Sequence, residues 1–255
     1  MDYSTFNMIN ISSHYFGSIE YNENIKEIRI MGVYDYHRNF YKALEDAKNL
    51  EEANLIFDRY IQALFELSNK IKGKNVGNLY KVLMGWMFNA NGFEGAVLKG
   101  WVESRFGIIP TFHKRKITEL ESESYYEYLT EKMSLKVNKN AMYSQLDLLY
   151  HYTQSIIKRF FPEYIPYLTL YRGIYDLEEY VIIKEICKKQ SIIMHNNLSS
   201  FTIEKNIAEQ FGNKILTIDV PYTKVLFFSK ETPLHHFSGE QEYLVIGGNF
   251  LTGVI

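Results

Sequence analysis

Three rows of residues in the C-terminal third of the chain mix polar side chains with apolar ones. A β-strand points alternate side chains to opposite faces, so residues two apart share a face. The rows are Leu168-Leu170-Arg172-Ile174, Leu198-Ser200-Thr202 together with Met194, and Glu240-Glu242-Leu244-Ile246. Charged groups are rarely buried without a partner. The rows therefore bring a guanidinium, a hydroxyl and two carboxylates to the ends of predicted strands.

Each of these polar residues also has an ordinary structural explanation. Arg172 could pair with a carboxylate in the core, and Ser200 could bond the backbone of its own turn. Glu240 and Glu242 could form the solvated end of a strand. Taken singly, each structural explanation outweighs a functional one, but the four residues together indicate a site.

The chemistry that such a set supports is transfer from a nucleotide-sugar. An arginine binds a phosphate or diphosphate through its planar fork of donors. A carboxylate beside a sugar stabilises an oxocarbenium-like transition state, and a serine orients the carboxylate or the sugar. NAD is the common nucleotide-sugar with a good leaving group, because its nicotinamide is cationic. We therefore predict that Arg172, Ser200 and Glu242 form an NAD site.

Glu240 indicates the nature of the acceptor. A guanidinium has a pKa above about 12 and must be oriented and partly deprotonated before it attacks. Glu240 lies two residues before Glu242 on the same face of the predicted strand. This position suits a carboxylate that orients an incoming arginine, so we expect the acceptor to be an arginine of a protein.

The chain divides into two parts by its periodicity. Helical periodicity runs from about residue 37 to 161, and short strands follow Pro166 without regular alternation of strand and helix, which favours an α+β fold. We predict a mainly helical portion over 1–162 that packs on a β-rich catalytic core over 163–255, or one integrated domain. The predicted helices are 77–88, 94–106, 119–134, 141–161 and 204–211, and the predicted strands are 168–174, 192–202, 215–220, 224–229, 242–247 and 249–254.

Two further helices are predicted with defined buried faces. One covers 176–190 and packs the thiol of Cys187 at the end of its apolar face. The other is long, ends before Gly73, and is expected to bury the stripe Leu55, Tyr60, Leu64, Leu67 and Ile71.

Composition limits the class and the location of the protein. Hydrophobic residues make up 46% of the chain, which is enough for a sizeable core, and the net charge of −2 gives no basis for binding nucleic acid or an anionic membrane. A single cysteine fits a reducing compartment, and no stretch reaches the length of a membrane-spanning helix. The first ten residues do not resemble a secretion signal. We expect a cytoplasmic protein, and we predict no metal because the histidines lack ligand spacing.

Three short motifs resemble those of the arginine-serine-glutamate class of mono-ADP-ribosyltransferases. They are Tyr171-Arg172-Gly173, Ser200-Phe201-Thr202 and Glu240-Gln241-Glu242, in the order of that class. Phe201-Thr202 replaces the Thr-Ser of the class and keeps the hydroxyl. Longer segments, over 91–107, 170–173, 197–202 and 239–248, resemble the dinitrogenase reductase ADP-ribosyltransferase family.

The resemblance implies a fold, an activity and partners. The fold is a helical N-terminal portion followed by two packed, mainly antiparallel sheets around an NAD cleft. The activity is transfer of ADP-ribose from NAD to an arginine of the nitrogenase iron protein, which switches off nitrogen fixation. NAD is then a co-substrate, the iron protein is the protein substrate, and a PII-type signalling protein is a regulatory partner.

Roles for the residues of the NAD site follow from the resemblance alone. Arg172 would bind the phosphate or ribose of NAD, beside Tyr171 and Gly173. Ser200 and Thr202 would support the site.

The resemblance also assigns the catalytic and target-facing residues. Glu242 would be the catalytic carboxylate and Glu240 the carboxylate that orients the target arginine. His235, His236 and Phe237, in the loop 229–239, would face the protein target.

Two other interpretations keep part of this chemistry. An arginine-specific ADP-ribosyltransferase of phage or toxin-system type would have the same site and another protein target. A catalytically silent module would keep the fold and bind NAD or a protein, although the intact polar residues argue against it. The segment 91–107 is predicted to pack in the core, with docking of the target as the alternative.

Overall fold

The chain begins with helices and ends with strands. A computed structural model describes residues 6–65, 78–135, 138–177, 179–229 and 241–255. Within these residues the helices are α1 (Ser13–Phe16), α2 (Ile19–Glu23), α3 (Val33–Tyr36), α4 (Arg38–Asp46), α5 (Leu50–Leu64), α6 (Leu79–Phe88), α7 (Phe93–Phe106), α8 (Glu123–Ser134), α9 (Lys139–Phe160) and α10 (Lys205–Ala208). Single 3₁₀ turns follow at Pro162–Tyr164 and Tyr222–Lys224.

Polar residues cap the start of four of the longer helices. Asn49, Asn78, Ser122 and Asn138 each precede a helix and accept a hydrogen bond from a backbone N–H of its first turn. Such a cap typically contributes about 1 kcal/mol. α9 ends shortly before Pro162, because proline disfavours the helical conformation of the residue before it. The four helices predicted between residues 77 and 161 are confirmed, with ends that differ by a few residues.

α5 buries a different face from the predicted one. Phe57 is fully buried and stacks on Tyr152 of α9, with 4.3 Å between the ring centroids. Leu55 and Leu64 of the predicted stripe are exposed instead. The prediction was wrong because an aromatic ring buries a large area against a facing ring, and this outweighs a row of leucines. The later positions of the stripe lie outside the described residues.

The strands pair antiparallel in every ladder that the structure describes. They are β1 (Phe112–His113), β2 (Arg115–Lys116), β3 (Tyr167–Ile174), β4 (Val181–Cys187), β5 (Gln190–Thr202), β6 (Lys214–Pro221), β7 (Val225–Phe228) and β8 (Glu242–Val254). β1 and β2 form a small ribbon, and the others follow the order β4-β5-β3-β6-β8-β7. β5 also pairs with β8, so β3, β5, β8 and β6 form a closed ring of paired strands.

Strand register brings the three predicted rows together. Tyr171 of β3 pairs with Thr202 of β5, and Thr202 pairs with Glu242 of β8. Because paired strands lie about 4.8 Å apart, Arg172, Ser200 and Glu242 become neighbours at one end of the sheet. The α+β fold is confirmed. The strands expected in two packed sheets belong to one hydrogen-bonded network that β5 and β8 join.

The helix predicted over 176–190 is wrong, because this segment contains strand β4. Val181 pairs with Met194 of β5, and the run Val181-Ile182-Ile183 is β-branched, which favours a strand. A short apolar run does not by itself distinguish a helix from a strand. β4 lies at an edge of the sheet, so much of it stays exposed, and the thiol of Cys187 is exposed instead of packed.

One hydrophobic cluster joins the helices to the strands. It contains Phe57 and Leu149 from helices, and Leu170, Phe228 and Ile246 from strands. The β-rich part therefore does not bury its apolar surface without the helices. This shared core fixes α6 and α7 against the end of the sheet where the polar rows meet.

Candidate active site

A cavity of about 300 Å³ opens where β3, β5 and β8 meet. Six of the residues predicted for the NAD site line it, namely Tyr171, Arg172, Gly173, Ser200, Thr202 and Glu242. Trp86 from α6 and Phe211, which follows α10, form further walls. The cavity is thus built by residues that are far apart in the chain.

Two neutral groups accept hydrogen bonds from Arg172, and one carboxylate lies near it. Its Nε donates to the hydroxyl of Tyr180 at 2.9 Å, and its Nη1 donates to the backbone carbonyl of Ser200 at 2.9 Å. Nη2 lies 3.8 Å from a carboxylate oxygen of Glu179. Burial alone would lower the pKa of the guanidinium, but Tyr180 and Glu179 raise it above its ordinary value. Arg172 therefore stays charged and oriented at the cavity wall.

Glu242 is buried, and hydrogen bonds hold both its side chain and its backbone. The hydroxyl of Ser200 donates a hydrogen bond to Oε1 of Glu242. The backbone N–H of Glu242 donates to Oγ of Ser229 at 2.9 Å, and its carbonyl accepts from the N–H of Ser229 at 2.9 Å. Both the side chain and the backbone of Glu242 are therefore fixed, with only 6% of the residue exposed.

Gly173 and Thr202 keep α10 against the strands. A Cβ at position 173 would lie 1.9 Å from the carbonyl oxygen of Ala208 in α10, so only glycine fits there. Oγ1 of Thr202 accepts a hydrogen bond at 3.2 Å from the N–H of Glu204, which precedes α10. Both residues line the cavity, and these contacts shape one of its walls. Tyr171, the third predicted residue here, also lines it.

Two residues at the site were missed by the sequence analysis. Trp86 donates its indole N–H to Ser200 at 2.9 Å and to Glu242 at 3.2 Å. Tyr180, buried between β3 and β4, holds Arg172. Their signal in the sequence was weak, since each is a single aromatic residue among the chain's many and neither lies in a motif.

The residues predicted to orient the acceptor lie outside the described part of the chain. These residues are Glu240, predicted to orient the target arginine, and His235, His236 and Phe237, predicted to face the protein target. The described residues resume at Gln241. Gln241 has a positive φ of 44°, which turns the chain just before Glu242 enters β8. The roles of Glu240, His235, His236 and Phe237 stay predictions.

A larger cavity, of about 590 Å³, lies away from these residues, between α4, α9 and the segment 27–29. Its cationic residues are already paired, because Arg29 and Lys158 both contact Glu27. Arg159 donates to the backbone carbonyls of Leu44 and Ala47. The smaller cavity is the better candidate, since it holds an oriented arginine beside a buried carboxylate.

The described residues contain neither a candidate metal site nor a candidate membrane span. No group of histidine, cysteine, aspartate and glutamate side chains there could hold a metal ion. Likewise, none of the helices in this part of the chain combines the length and the apolar character needed to cross a membrane. Two histidines have structural partners, His113 with Glu131 and His195 with Thr252.

The geometry suits a ligand that carries an anionic group and that develops a positive charge elsewhere during its reaction. Arg172 offers guanidinium donors to a phosphate. Glu242 offers a buried carboxylate to a developing positive charge, and charges interact strongly at a site from which water is largely excluded. Trp86 and Phe211 offer apolar walls to a flat ring.

Comparisons with known proteins agree with this arrangement. The profile of the family described as dinitrogenase reductase ADP-ribosyltransferase matches residues 6–254. The NAD(+)–dinitrogen-reductase ADP-D-ribosyltransferase of Rhodospirillum rubrum is 37% identical over 255 residues, which cover 96% of this chain and 92% of the relative. No solved structure matches the chain significantly. The chain therefore belongs to the dinitrogenase reductase ADP-ribosyltransferase family.

Proposed function

We propose that this protein transfers ADP-ribose from NAD to an arginine of the nitrogenase iron protein and thereby switches off nitrogen fixation. The observation that carries the proposal is the convergence of Arg172, Ser200 and Glu242 on one cavity. The name of the Rhodospirillum rubrum relative, which covers nearly the whole chain, supports the choice of reaction and substrate. It favours the iron protein over a phage or toxin-system target.

The reaction exchanges one bond at C1′ of the ribose that carries nicotinamide. The bond from C1′ to the nicotinamide nitrogen breaks, and its electron pair leaves with nicotinamide, which departs neutral. A guanidinium nitrogen of the acceptor forms the new bond to C1′ and loses one proton. In the transition state the sugar carries positive charge, and we assign its stabilisation to the buried carboxylate of Glu242.

Arg172 and Ser200 take the supporting roles. We assign the diphosphate of NAD to Arg172, because a planar guanidinium binds phosphate oxygens in pairs. Ser200 donates to Glu242 and so keeps the carboxylate directed at the sugar. Tyr171, Gly173 and Thr202 complete the NAD site as wall residues.

The acceptor side of the proposal rests on sequence. Glu240 orients the target arginine and helps to remove its proton, because it lies two residues before Glu242. His235, His236 and Phe237 contact the protein target. We place the enzyme in the cytoplasm, where its target is made. The PII-type partner has no support beyond the motif resemblance and stays a prediction.

We also propose that the portions 1–162 and 163–255 act as one unit. Trp86 of the helical portion and Arg172 of the β-rich portion line the same cavity. The hydrophobic core is shared as well. A β-rich part expressed alone would lack a wall of its own site.

The test uses purified enzyme, NAD labelled in its adenylate, and purified nitrogenase iron protein. We expect label on one arginine of the iron protein, located by mass spectrometry, with release of nicotinamide. Glu242→Gln should abolish the label, whereas Glu209→Gln, at an exposed glutamate outside the cavity, should not. Nicotinamide release without a labelled arginine would remove the iron protein as target. No release at all would overturn the proposed activity.

A further inference from the structure

Trp86 lies on α6, outside every motif of the site. Leu79, Val82, Leu83 and Trp86 share the buried face of this helix, three or four residues apart. This face carries the indole from the helical portion to the end of the sheet. There its N–H meets both Oγ of Ser200, at 2.9 Å, and Oε1 of Glu242, at 3.2 Å.

A lysine lies over the indole ring. Nζ of Lys99, on α7, lies 5.9 Å from the centroid of the Trp86 ring. The same ammonium donates to Oδ1 of Asn91 at 2.9 Å and to the carbonyl of Phe112 at 3.0 Å. These bonds tie the turn between α6 and α7 to β1. Trp86 is buried, with 2% of the residue exposed.

The direction of the hydrogen bonds follows from the chemistry of the three groups. An indole N–H only donates, whereas a serine hydroxyl donates one hydrogen bond and accepts others. Ser200 therefore accepts from Trp86 and must direct its own hydrogen elsewhere. Oε1 of Glu242 is the acceptor in reach. Trp86 thus donates to the carboxylate directly and also fixes the polarity of the serine that donates to it.

We infer that Trp86 is a positioning residue, which keeps the carboxylate of Glu242 aimed at the sugar through a hydrogen bond supplied by the helical portion. The inference rests on the proposed function, because it assigns Trp86 to the reaction at Glu242. A donor to a carboxylate favours its charged form. An ionised carboxylate in fixed orientation is what a developing positive charge requires.

The chain supplies a matched control, because it contains two tryptophans. Trp101, on α7, is also fully buried, and its Nε1 donates to Oδ1 of Asp147 at 2.8 Å. Both indoles therefore donate to a carboxylate. Only Trp86 does so at the cavity, so Trp86→Phe and Trp101→Phe remove the same kind of bond at a functional and at a structural position.

Steady-state NAD cleavage is measured for both variants across a range of pH. For Trp86→Phe we expect kcat to fall roughly 10- to 100-fold, which corresponds to one lost hydrogen bond to a charged group. KM for NAD should change little, and the acidic limb of the pH profile should move to higher pH. Trp101→Phe should keep kcat and the pH profile while it lowers the melting temperature. If Trp86→Phe keeps the wild-type kcat and pH profile, or if the two variants lose kcat in proportion to their lost stability, the inference is wrong.

A spectroscopic readout separates this inference from the proposed function. In Trp101→Phe the remaining indole N–H resonance belongs to Trp86, and we expect its chemical shift to titrate with pH. The titration should vanish in the double variant Trp101→Phe, Glu242→Gln. If the wild-type enzyme fails to cleave NAD, the proposed function fails, whereas a resonance unaffected by Glu242→Gln removes the hydrogen bond and with it the role of Trp86.

Discussion

Two centres in this protein combine a buried carboxylate with a tryptophan and an arginine, and they use the arginine differently. The first lies between α7 and α9. There Asp147 accepts a hydrogen bond from Trp101 at 2.8 Å and two hydrogen bonds from Arg105, each at 2.9 Å. Arginine and carboxylate meet fork to fork, which is the strong form of this pair. Their charges satisfy each other, and the centre holds two helices together.

In the second centre, at the cavity, the carboxylate and the arginine have separate partners. Glu242 accepts from Ser200 and Trp86. Arg172 donates to a hydroxyl and to a backbone carbonyl, which bind a guanidinium more weakly than a carboxylate does. The carboxylate of Glu179 lies 3.8 Å from its Nη2, beyond hydrogen-bond distance. In the first centre the two charges pair with each other and stabilise the fold. In the second centre the two charges are held apart, so that each can interact with a ligand.

The largest difference between the two centres should appear when each carboxylate is neutralised. Glu242→Gln should lower NAD hydrolysis and ADP-ribose transfer by roughly 10³-fold, because the buried charge that stabilises the transition state is lost. Its melting temperature should change little. Asp147→Asn should do the reverse and destabilise the fold by roughly 3 kcal/mol, since it leaves Arg105 buried without its partner. Calorimetry measures the stability of both variants, and initial rates measure their activity. An equal loss of stability in the two variants would contradict the proposed difference between the centres.

Glu240→Gln should affect the two activities of the site, transfer to arginine and hydrolysis of NAD, to different extents. We expect transfer to arginine to fall by roughly 10²-fold, the usual contribution of a positioned acid or base. Hydrolysis of NAD should remain, because water needs less help than a guanidinium does. Both rates are measured in one reaction with labelled NAD and the iron protein. Parallel loss of the two activities would contradict the assigned roles of Glu240 and Glu242.

Tyr180→Phe should loosen the arginine of the second centre. The variant removes the hydroxyl that accepts from Nε of Arg172 at 2.9 Å and keeps the buried ring. KM for NAD should rise by roughly tenfold, in line with one hydrogen bond to a charged group, while kcat stays close to the wild-type value. A larger fall in kcat than rise in KM would show that Tyr180 acts on the reaction and not on binding.

Two buried lysines, Lys99 near the active site and Lys224 away from it, allow a further comparison of a functional with a structural position. The expected effect on catalysis is smaller. Burial lowers the pKa of both Lys99 and Lys224 to about 7. In the unfolded chain both lysines have the ordinary lysine pKa of about 10.4. Between these two values the unfolded state binds more protons, so the free energy of unfolding of the wild type should rise with pH.

Replacement by methionine should flatten this rise in both variants. Lys99→Met should also slow NAD cleavage several-fold, because Lys99 supports the ring of Trp86. Lys224→Met should leave the rate unchanged, since Lys224 is surrounded by the rings of Phe16, Tyr21 and Phe250. Urea unfolding at several pH values measures the slopes. An unchanged slope in both variants would contradict the lowered pKa values.

The sequence predicted the polar rows well because strands have a period of two. That period places Arg172 among Leu168, Leu170 and Ile174 whatever the strand pairs with, and β3 shows this alternation of buried and exposed residues up to residue 170. The α+β class followed from the order of the chain, in which helical periodicity comes first and short strands follow without regular alternation. The helices ahead of Pro162 followed from helical periodicity and from the proline that follows α9.

The segment 176–190 shows where local pattern fails. Its isoleucines fit a helix face as well as a strand, and pairing with β5 decided between them. On α5 the stacking of Phe57 on Tyr152 decided which face is buried. In both cases the local structure was determined by a residue or strand distant in the chain, which a short stretch of sequence does not include.

The sequence by itself determined which residue types the site contains, since the rows and motifs of Arg172, Ser200 and Glu242 are properties of short segments. The tertiary structure decided how these groups are held. Register between β3, β5 and β8 brought them together, and α6 added the indole of Trp86 from 156 residues away. The physical reason is that strand period and helix period act locally, whereas a hydrogen bond between distant residues exists only after the shared core has formed.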